Sequence, residues 1–150
     1  MSENNELYQQ VILSHNKSPK NYGKPDSHTH ASEGFNPLCG DHYWIFLEVD
    51  QKGIIQDIRF EGAGCAISKA SLSMMTEFLK GRNSTEVESL FNEFQALIRG
   101  ELKPEKDPHH LDKLTIFSGV WQYPARIKCA ILGWHTIRGA LNQQEQVSTE

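Results

Sequence analysis

Residues 42–62 read HYWIFLEVDQKGIIQDIRFEG, and this stretch decides the fold class. Side chains alternate across an extended strand. Tyr43, Ile45, Leu47 and Val49 therefore share one face, and Trp44, Phe46 and Glu48 share the other. Asp50-Gln51-Lys52-Gly53 is turn chemistry. The returning segment puts Ile54, Ile58 and Phe60 on one side and Asp57, Arg59 and Glu61 on the other. Two alternating runs around a short polar turn predict a β-hairpin.

Beyond the hairpin the pattern turns helical. GAGC (62–65) is a glycine-rich turn, and the spacing of Ile67, Ala70, Met74 and Phe78 predicts a helix over 67–80. Thr85 and Glu88 fit a capping box for a second helix with the stripe Val87, Leu90, Phe91, Phe94, Leu97 and Ile98, stopped by Gly100. Residues 101–118 contain Pro104, Pro108 and His109-His110 and read as a polar connector. A last helix opens on Pro124, which suits a first helical turn. Upstream, Leu7, Tyr8, Val11, Ile12 and His15 mark an N-terminal helix, and residues 20–36 read as a loop. Strands first and helices later favour α+β over a doubly wound parallel sheet.

The chain of 150 residues is expected to form a single domain, with residues 142–150 as a flexible tail. Its formal charge of −4 and pI near 6.0 argue against a nucleic-acid binder with a basic surface. No run of about 18 apolar residues marks a membrane span, and MSENNELYQQ lacks a signal core, so the expectation is a cytoplasmic protein. Three cysteines without an export signal argue for metal or thiol chemistry, or for buried free thiols, over a disulfide framework.

Each cysteine has its own setting. Cys39 and Asp41, in NPLCGD, can point to one side of extended chain. Cys65 begins a helix, where backbone N–H groups and the helix dipole favour a thiolate. The last helix has its apolar stripe on Ile127, Ile131, Trp134, Ile137 and Leu141. At ~100° per residue, Cys129 lies roughly 130° from the centre of that stripe. Its own face carries the small residues Ala125, Gly133, Thr136 and Ala140, which implies either close packing over the thiol or a second buried face. Together, Cys39, Asp41, Cys65 and Cys129 make a Cys₃Asp donor set of the kind zinc or an iron–sulfur cluster accepts. Around a divalent metal this set leaves a charge of about −2, which Arg126 and Lys128, flanking Cys129, are placed to offset. His42 points away from Asp41 in a strand, His109-His110 belong to the surface, His135 is too far along the helix to join Cys129, and Met74-Met75 belong to the core. A Cys/His/Asp hydrolase lacks an orienting pair around Cys39.

These residues carry a resemblance. NPLCGD (36–41), GAGCAISKASLSMMTE (62–77), PARIKCAILGWHTI (124–137) and the N-terminal LYQQVILSHNKSPKNYG resemble the IscU/SufU family, the NifU N-terminal-like proteins of iron–sulfur cluster assembly. The resemblance implies a three-stranded antiparallel sheet with helices packed on it. It implies that Cys39, Asp41, Cys65 and Cys129 converge to hold zinc or a transient iron–sulfur cluster. It also implies sulfur delivery from a pyridoxal-phosphate-dependent cysteine desulfurase and a downstream cluster scaffold of the Suf type. The scaffold branch of the family carries a histidine just before the third cysteine. This chain has Lys128 there, and a longer segment around RGELKPEKDPHH (99–110). Both features resemble the SufU branch, whose members are similar to zinc-dependent sulfur acceptors that stimulate their desulfurase. By that resemblance Cys39 is the expected acceptor. The alternatives are a scaffold that builds and passes on a [2Fe–2S] cluster, and a zinc-stabilised binding module without chemistry.

Overall fold

The expected hairpin is present, and a computed structural model of the protein, describing residues 2–149, extends it by two further strands, both on the β2 side. Strand β1 (His30–Asn36) pairs antiparallel with β2 (Asp41–Val49), and β2 pairs antiparallel with β3 (Ile55–Ala63). A short β4 (Gln146–Ser148) adds to the free edge of β1 in parallel, giving the order β3-β2-β1-β4. The α+β class holds, with a four-stranded mixed sheet in place of three antiparallel strands. Two expectations are corrected by it. Residues 30–36 of the presumed loop are a strand, because Ser32, Gly34 and Asn36 face inward as small or hydrogen-bonded residues rather than as an apolar alternation. The tail contributes β4, anchored by Glu33 N–H donating to the Glu145 carbonyl (2.9 Å) and Thr149 N–H donating to the Phe35 carbonyl (3.0 Å).

Tyr43, Ile45 and Leu47 are wholly buried on the inner sheet face, as the alternation requires. On β3 the buried residues are Ile55, Ile58 and Phe60. Ile55 replaces the expected Ile54 because the β2–β3 register shifts at Glu48/Val49, and an irregularity there changes which side chain faces inward.

Helix α1 (Ser2–Lys17) packs on α2 (Ala66–Leu79) through Ile12, Tyr8 and Val11, leaving Leu7 53% exposed. Helix α2 is buried on more than one stripe. Its inward residues include Ser68, Ser71, Ser73 and Thr76, and each hydroxyl is hydrogen-bonded. Ser71, for one, donates to the Ala130 carbonyl at 2.7 Å. Helix α3 (Ser84–Ile98) buries the whole expected stripe. Its capping box is formed by Asn83 and Glu86, two residues earlier than the expected Thr85 and Glu88. Asparagine caps as well as threonine, so the upstream pattern wins. The connector carries structure of its own: a 3₁₀ segment, Asp112–Gln122, turns Leu114, Phe117 and Val120 into the core.

Helix α4 (Pro124–Leu141) is the centre of the molecule. It lies against β1 and β2 on one side and against α2, α3 and the 3₁₀ segment on the other. Residues 129–134 are all buried. Its small face is the reason the sheet can come so close: a Cβ on Gly34 would collide with Thr136 Oγ1, and one on Gly133 would meet the Leu72 side chain at 2.6 Å. Of the two readings of that face, close packing and a second buried face, both hold. Among the described residues no helix is long and apolar enough to cross a membrane.

Candidate metal and thiol site

Cys39 sits on the turn of the β1–β2 hairpin. Asn36 and Asp41 are paired across its base, and residues 37–40 form the turn. Gly40 has φ +72°, a left-handed conformation that glycine adopts without cost. Cys39 N–H donates to the Asn36 carbonyl at 3.3 Å. The turn thus brings the Cys39 thiol against Cys129 of α4, while Asp41, the first residue of β2, points down into the interior at 2% exposure.

Cys129 comes from the first half of α4 and is fully buried. Its sulfur lies 3.2 Å from the Cys39 sulfur. One donor atom from each of Cys39, Asp41 and Cys129 lies within 4.8 Å of the others. Two thiolates on one tetrahedral zinc stand roughly 3.8 Å apart, given Zn–S bonds of about 2.3 Å. The three donors therefore suit a tetrahedral zinc in chemistry, and the two sulfurs, 3.2 Å apart, would have to separate by about 0.6 Å to span it.

Cys65 approaches from the opposite wall as the N-cap of α2, its sulfur accepting from the Ser68 N–H at 3.4 Å. It lies outside the tight group of three but is close enough for its thiol to be electrostatically linked to that of Cys129. That interaction, followed by the Ser68 N–H, outweighs burial and the Asp41 charge and brings the Cys65 thiol down to about 6. Cys129 is driven the other way, upward, by the same interaction with Cys65, then by burial and by Cys39. The two thiols are thus pushed in opposite directions, Cys65 down and Cys129 up. In metal-free protein at pH 7, Cys65 is then expected to be mostly thiolate. Alkylation by iodoacetamide should label it ahead of Cys129, with a rate that falls as pH drops through about 6. Peptide mapping across about pH 5–8 checks this. Equal labelling of both cysteines would show that the two thiols are not so separated.

Asp41 organises the floor. One carboxylate oxygen accepts from the Cys65 N–H (2.7 Å) and the Ser68 hydroxyl (3.1 Å), and the other accepts from the Asn36 side-chain amide (2.9 Å). The same Asn36 nitrogen reaches Cys129 Sγ at 3.6 Å, and the Tyr43 hydroxyl meets Ser68 Oγ at 3.0 Å. Asn36, Ser68 and Tyr43 are hydrogen-bonded neighbours of the donors that sequence reasoning missed. Asn36 lies inside NPLCGD and Ser68 three residues after Cys65, so polar residues near each cysteine were the available signal for both.

The two expected supporting cations separate. Arg126, one helical turn before Cys129, is directed toward the thiols, and the influence of Cys129 followed by the Cys65 charge raises its pKa further. Lys128 instead lines a cavity of about 270 Å³ on the other flank of α4, with Arg99, His135 and Thr149. The remaining histidines singled out from sequence have other partners. His42 Nε2 meets Glu33 Oε2 at 2.5 Å on the outer sheet face, His110 pairs with Glu93, and His135 packs against Phe91.

A cleft of about 1190 Å³ opens beside Cys65, between α1 and the 3₁₀ segment, with Tyr8, Lys103, Trp121, Tyr123 and Arg126 in its walls. Leu38 (61%), Trp121 (46%) and Tyr123 (62%) are exposed large apolar side chains. Trp121 and Tyr123 line the cleft beside Cys65, and Leu38 adjoins Cys39 on the hairpin turn.

The family model for the NifU-like N-terminal domain matches residues 7–130, a span that contains every one of these donors. The chain belongs to this family. It is 40% identical over 137 residues to the iron–sulfur cluster assembly scaffold protein IscU of Thermotoga maritima, covering 91% of this chain and 94% of that one. It is 37% identical over 139 residues to the zinc-dependent sulfurtransferase SufU of Bacillus subtilis, covering 93% and 92%. Among solved structures, one assigned to the SUF-system scaffold of Fervidobacterium islandicum superposes with a TM-score of 0.79 at 33% identity, covering 87% of this chain and 93% of that one. NifU-like relatives thus include both scaffold and sulfurtransferase designations at similar distance.

Proposed function

We propose that this NifU-like chain is a zinc-dependent sulfur acceptor in iron–sulfur cluster assembly, taking persulfide sulfur from a pyridoxal-phosphate-dependent cysteine desulfurase and stimulating it. Cys39, Asp41, Cys65 and Cys129 would hold the zinc, which when bound keeps the thiolates deprotonated at neutral pH. The protein would work as an accessory to the desulfurase in the cytoplasm and pass sulfur on to a Suf-type scaffold.

The observation that carries this reading is the unequal placement of two touching sulfurs. Cys39 is part-exposed on a hairpin turn, while Cys129 is fully buried 3.2 Å away. An acceptor thiolate must reach an incoming persulfide, whereas an anchor must not. Attack by the Cys39 thiolate on the outer sulfur of a donor R–S–SH forms the Cys39 Sγ–S bond and breaks the donor S–S bond. The electron pair leaves on the donor as R–S⁻, and the persulfide proton travels with the transferred sulfur. No net oxidation occurs. Arg126 lies over the site to compensate its negative charge. The exposed Leu38, Trp121 and Tyr123 offer a partner apolar contact beside it.

A second reading, assembly and transfer of a [2Fe–2S] cluster, is favoured by the scaffold designation of the 40%-identical Thermotoga maritima relative. The test compares metal content of freshly purified protein with desulfurase turnover measured with and without it. Tightly held zinc and an accelerated desulfurase are expected. A zinc-free protein that leaves turnover unchanged but forms a stable, transferable chromophore on anaerobic reconstitution would establish the scaffold reading instead.

A further inference from the structure

Asn36 is a wholly buried amide whose every link to the site depends on which way it faces. Its nitrogen must point at the Asp41 carboxylate and Cys129, since only the NH₂ end can donate to them. Its oxygen then points the opposite way and needs a donor. Thr149 Oγ1 supplies one at 3.0 Å. A chain of hydrogen bonds therefore runs from the C-terminal segment into the donor set: the Thr149 hydroxyl to the Asn36 oxygen, and the Asn36 nitrogen to Asp41 Oδ2 and Cys129 Sγ.

The C-terminal segment is held firmly enough to act in this way. Thr149 N–H donates to the carbonyl of Phe35, the residue next to Asn36, and Val147 sits over Gly139 of α4, where any Cβ would collide with it. Strand β4 thus ties β1 to the helix that carries Cys129. Neither composition nor spacing marks the polar tail NQQEQVSTE (142–150) as having such a role.

From this juxtaposition we infer that Thr149 is a positioning residue of the metal site, acting through Asn36 to orient Asp41 and Cys129. Groups behind the ligands orient them, and their loss typically costs about 10- to 100-fold in metal affinity. Thr149 stands one bond further out and is expected at the low end of that range. The inference rests on the ligand set proposed above, but the Thr149–Asn36 link itself is independent of any metal.

The experiment uses the full chain with Thr149→Val, which keeps the shape and the backbone bond to Phe35 but removes the donor, and Thr149→Ser, which keeps the donor. Two readouts are taken. In metal-free protein, the side-chain amide NMR signals of Asn36 should shift and lose protection from solvent exchange in Thr149→Val, and keep their wild-type character in Thr149→Ser. In a competition titration against a chromogenic chelator, Thr149→Val should bind zinc about tenfold more weakly than wild type, with Thr149→Ser restoring most of the affinity. Unchanged Asn36 signals, or equal zinc affinity in all three proteins, would overturn the inference. So would an equal loss in both variants, which would assign the effect to packing. A wild-type protein with no zinc affinity would instead remove the metal reading, and the Asn36 signals would still decide the link.

Discussion

Cys39→Ala is expected to abolish persulfide loading by a cognate desulfurase while leaving the fold intact. Removal of the attacking nucleophile should cut loading by at least about two orders of magnitude. The three thiols differ enough for the outcome to be specific. Cys129 is fully buried on α4 with its thiol pushed up by Cys65 and burial, so it is neither accessible nor nucleophilic. Cys65 is the stronger competitor, since it is part-exposed and held down to about 6 in the metal-free protein. Its sulfur, however, caps α2 by accepting from the Ser68 N–H, a bond it would have to give up to attack. Cys39 caps no helix, and its turn contains Gly40, where nothing lies within 4 Å of the position a Cβ would take. The measurement is mass-spectrometric counting of transferred sulfur in Cys39→Ala, Cys65→Ala and wild type, each supplied with desulfurase and cysteine. Undiminished loading of Cys39→Ala would pass the acceptor role to Cys65.

How legible each element was in the sequence depends on how its signal is encoded. The β2–β3 hairpin could be seen because one sheet face is packed and the other largely open, so the wholly buried Tyr43, Ile45 and Leu47 alternate with Trp44 and Glu48, Phe46 alone on that outer face being covered, with His28 and Lys24 against its ring. Helix α3 was legible for the same reason at a period of about 3.6, having one buried stripe. Strand β1 was not, because its inward positions are Ser32, Gly34 and Asn36: Gly34 is small to admit Thr136 and Asn36 is polar to hold Asp41. Both choices serve the site and erase the hydrophobic alternation that marks a strand. Helix α4 hid its true surroundings, since a helix buried on several faces has no single stripe to read. Of the expected donors, Cys39, Asp41 and Cys129 come together and Cys65 stands just outside; they were legible as a group because thiols and a carboxylate in three distinct settings are rare enough to stand out. Their support was not, because Asn36, Ser68 and Thr149 act through contacts far apart in the chain. Arg126 and Lys128 both flank Cys129 in the chain, yet at about 100° per residue a three-residue step keeps Arg126 on the flank of the sulfur and a one-residue step takes Lys128 off it.

Gly64→Ala is expected to weaken zinc binding by roughly 10- to 100-fold and to destabilise the metal-free fold by about 1–3 kcal/mol. Gly64 lies between the end of β3 and the Cys65 cap, with no left-handed φ, so alanine is compatible with its backbone and the effect is one of space alone. A Cβ there would collide with Asp41 Oδ1 and come within 2.7 Å of Ser68 Oγ and 2.8 Å of the Tyr43 hydroxyl. None of the three can retreat: Asp41 is 2% exposed, Ser68 1% and Tyr43 0%. They are also bonded to one another, with Ser68 between Asp41 Oδ1 (3.1 Å) and the Tyr43 hydroxyl (3.0 Å). The carboxylate must then turn away from the Cys65 N–H, and with it from the position it holds beside Cys129. The second glycine of GAGC is thus required by a carboxylate packed against the backbone. Gly119→Ala is the control, since nothing lies within 4 Å of the added Cβ and its φ is ordinary. Zinc competition and thermal melts of both variants make the comparison. A Gly64→Ala protein that melts lower yet binds zinc with wild-type affinity would show that Asp41 is a packing residue and that the metal is held by sulfur alone.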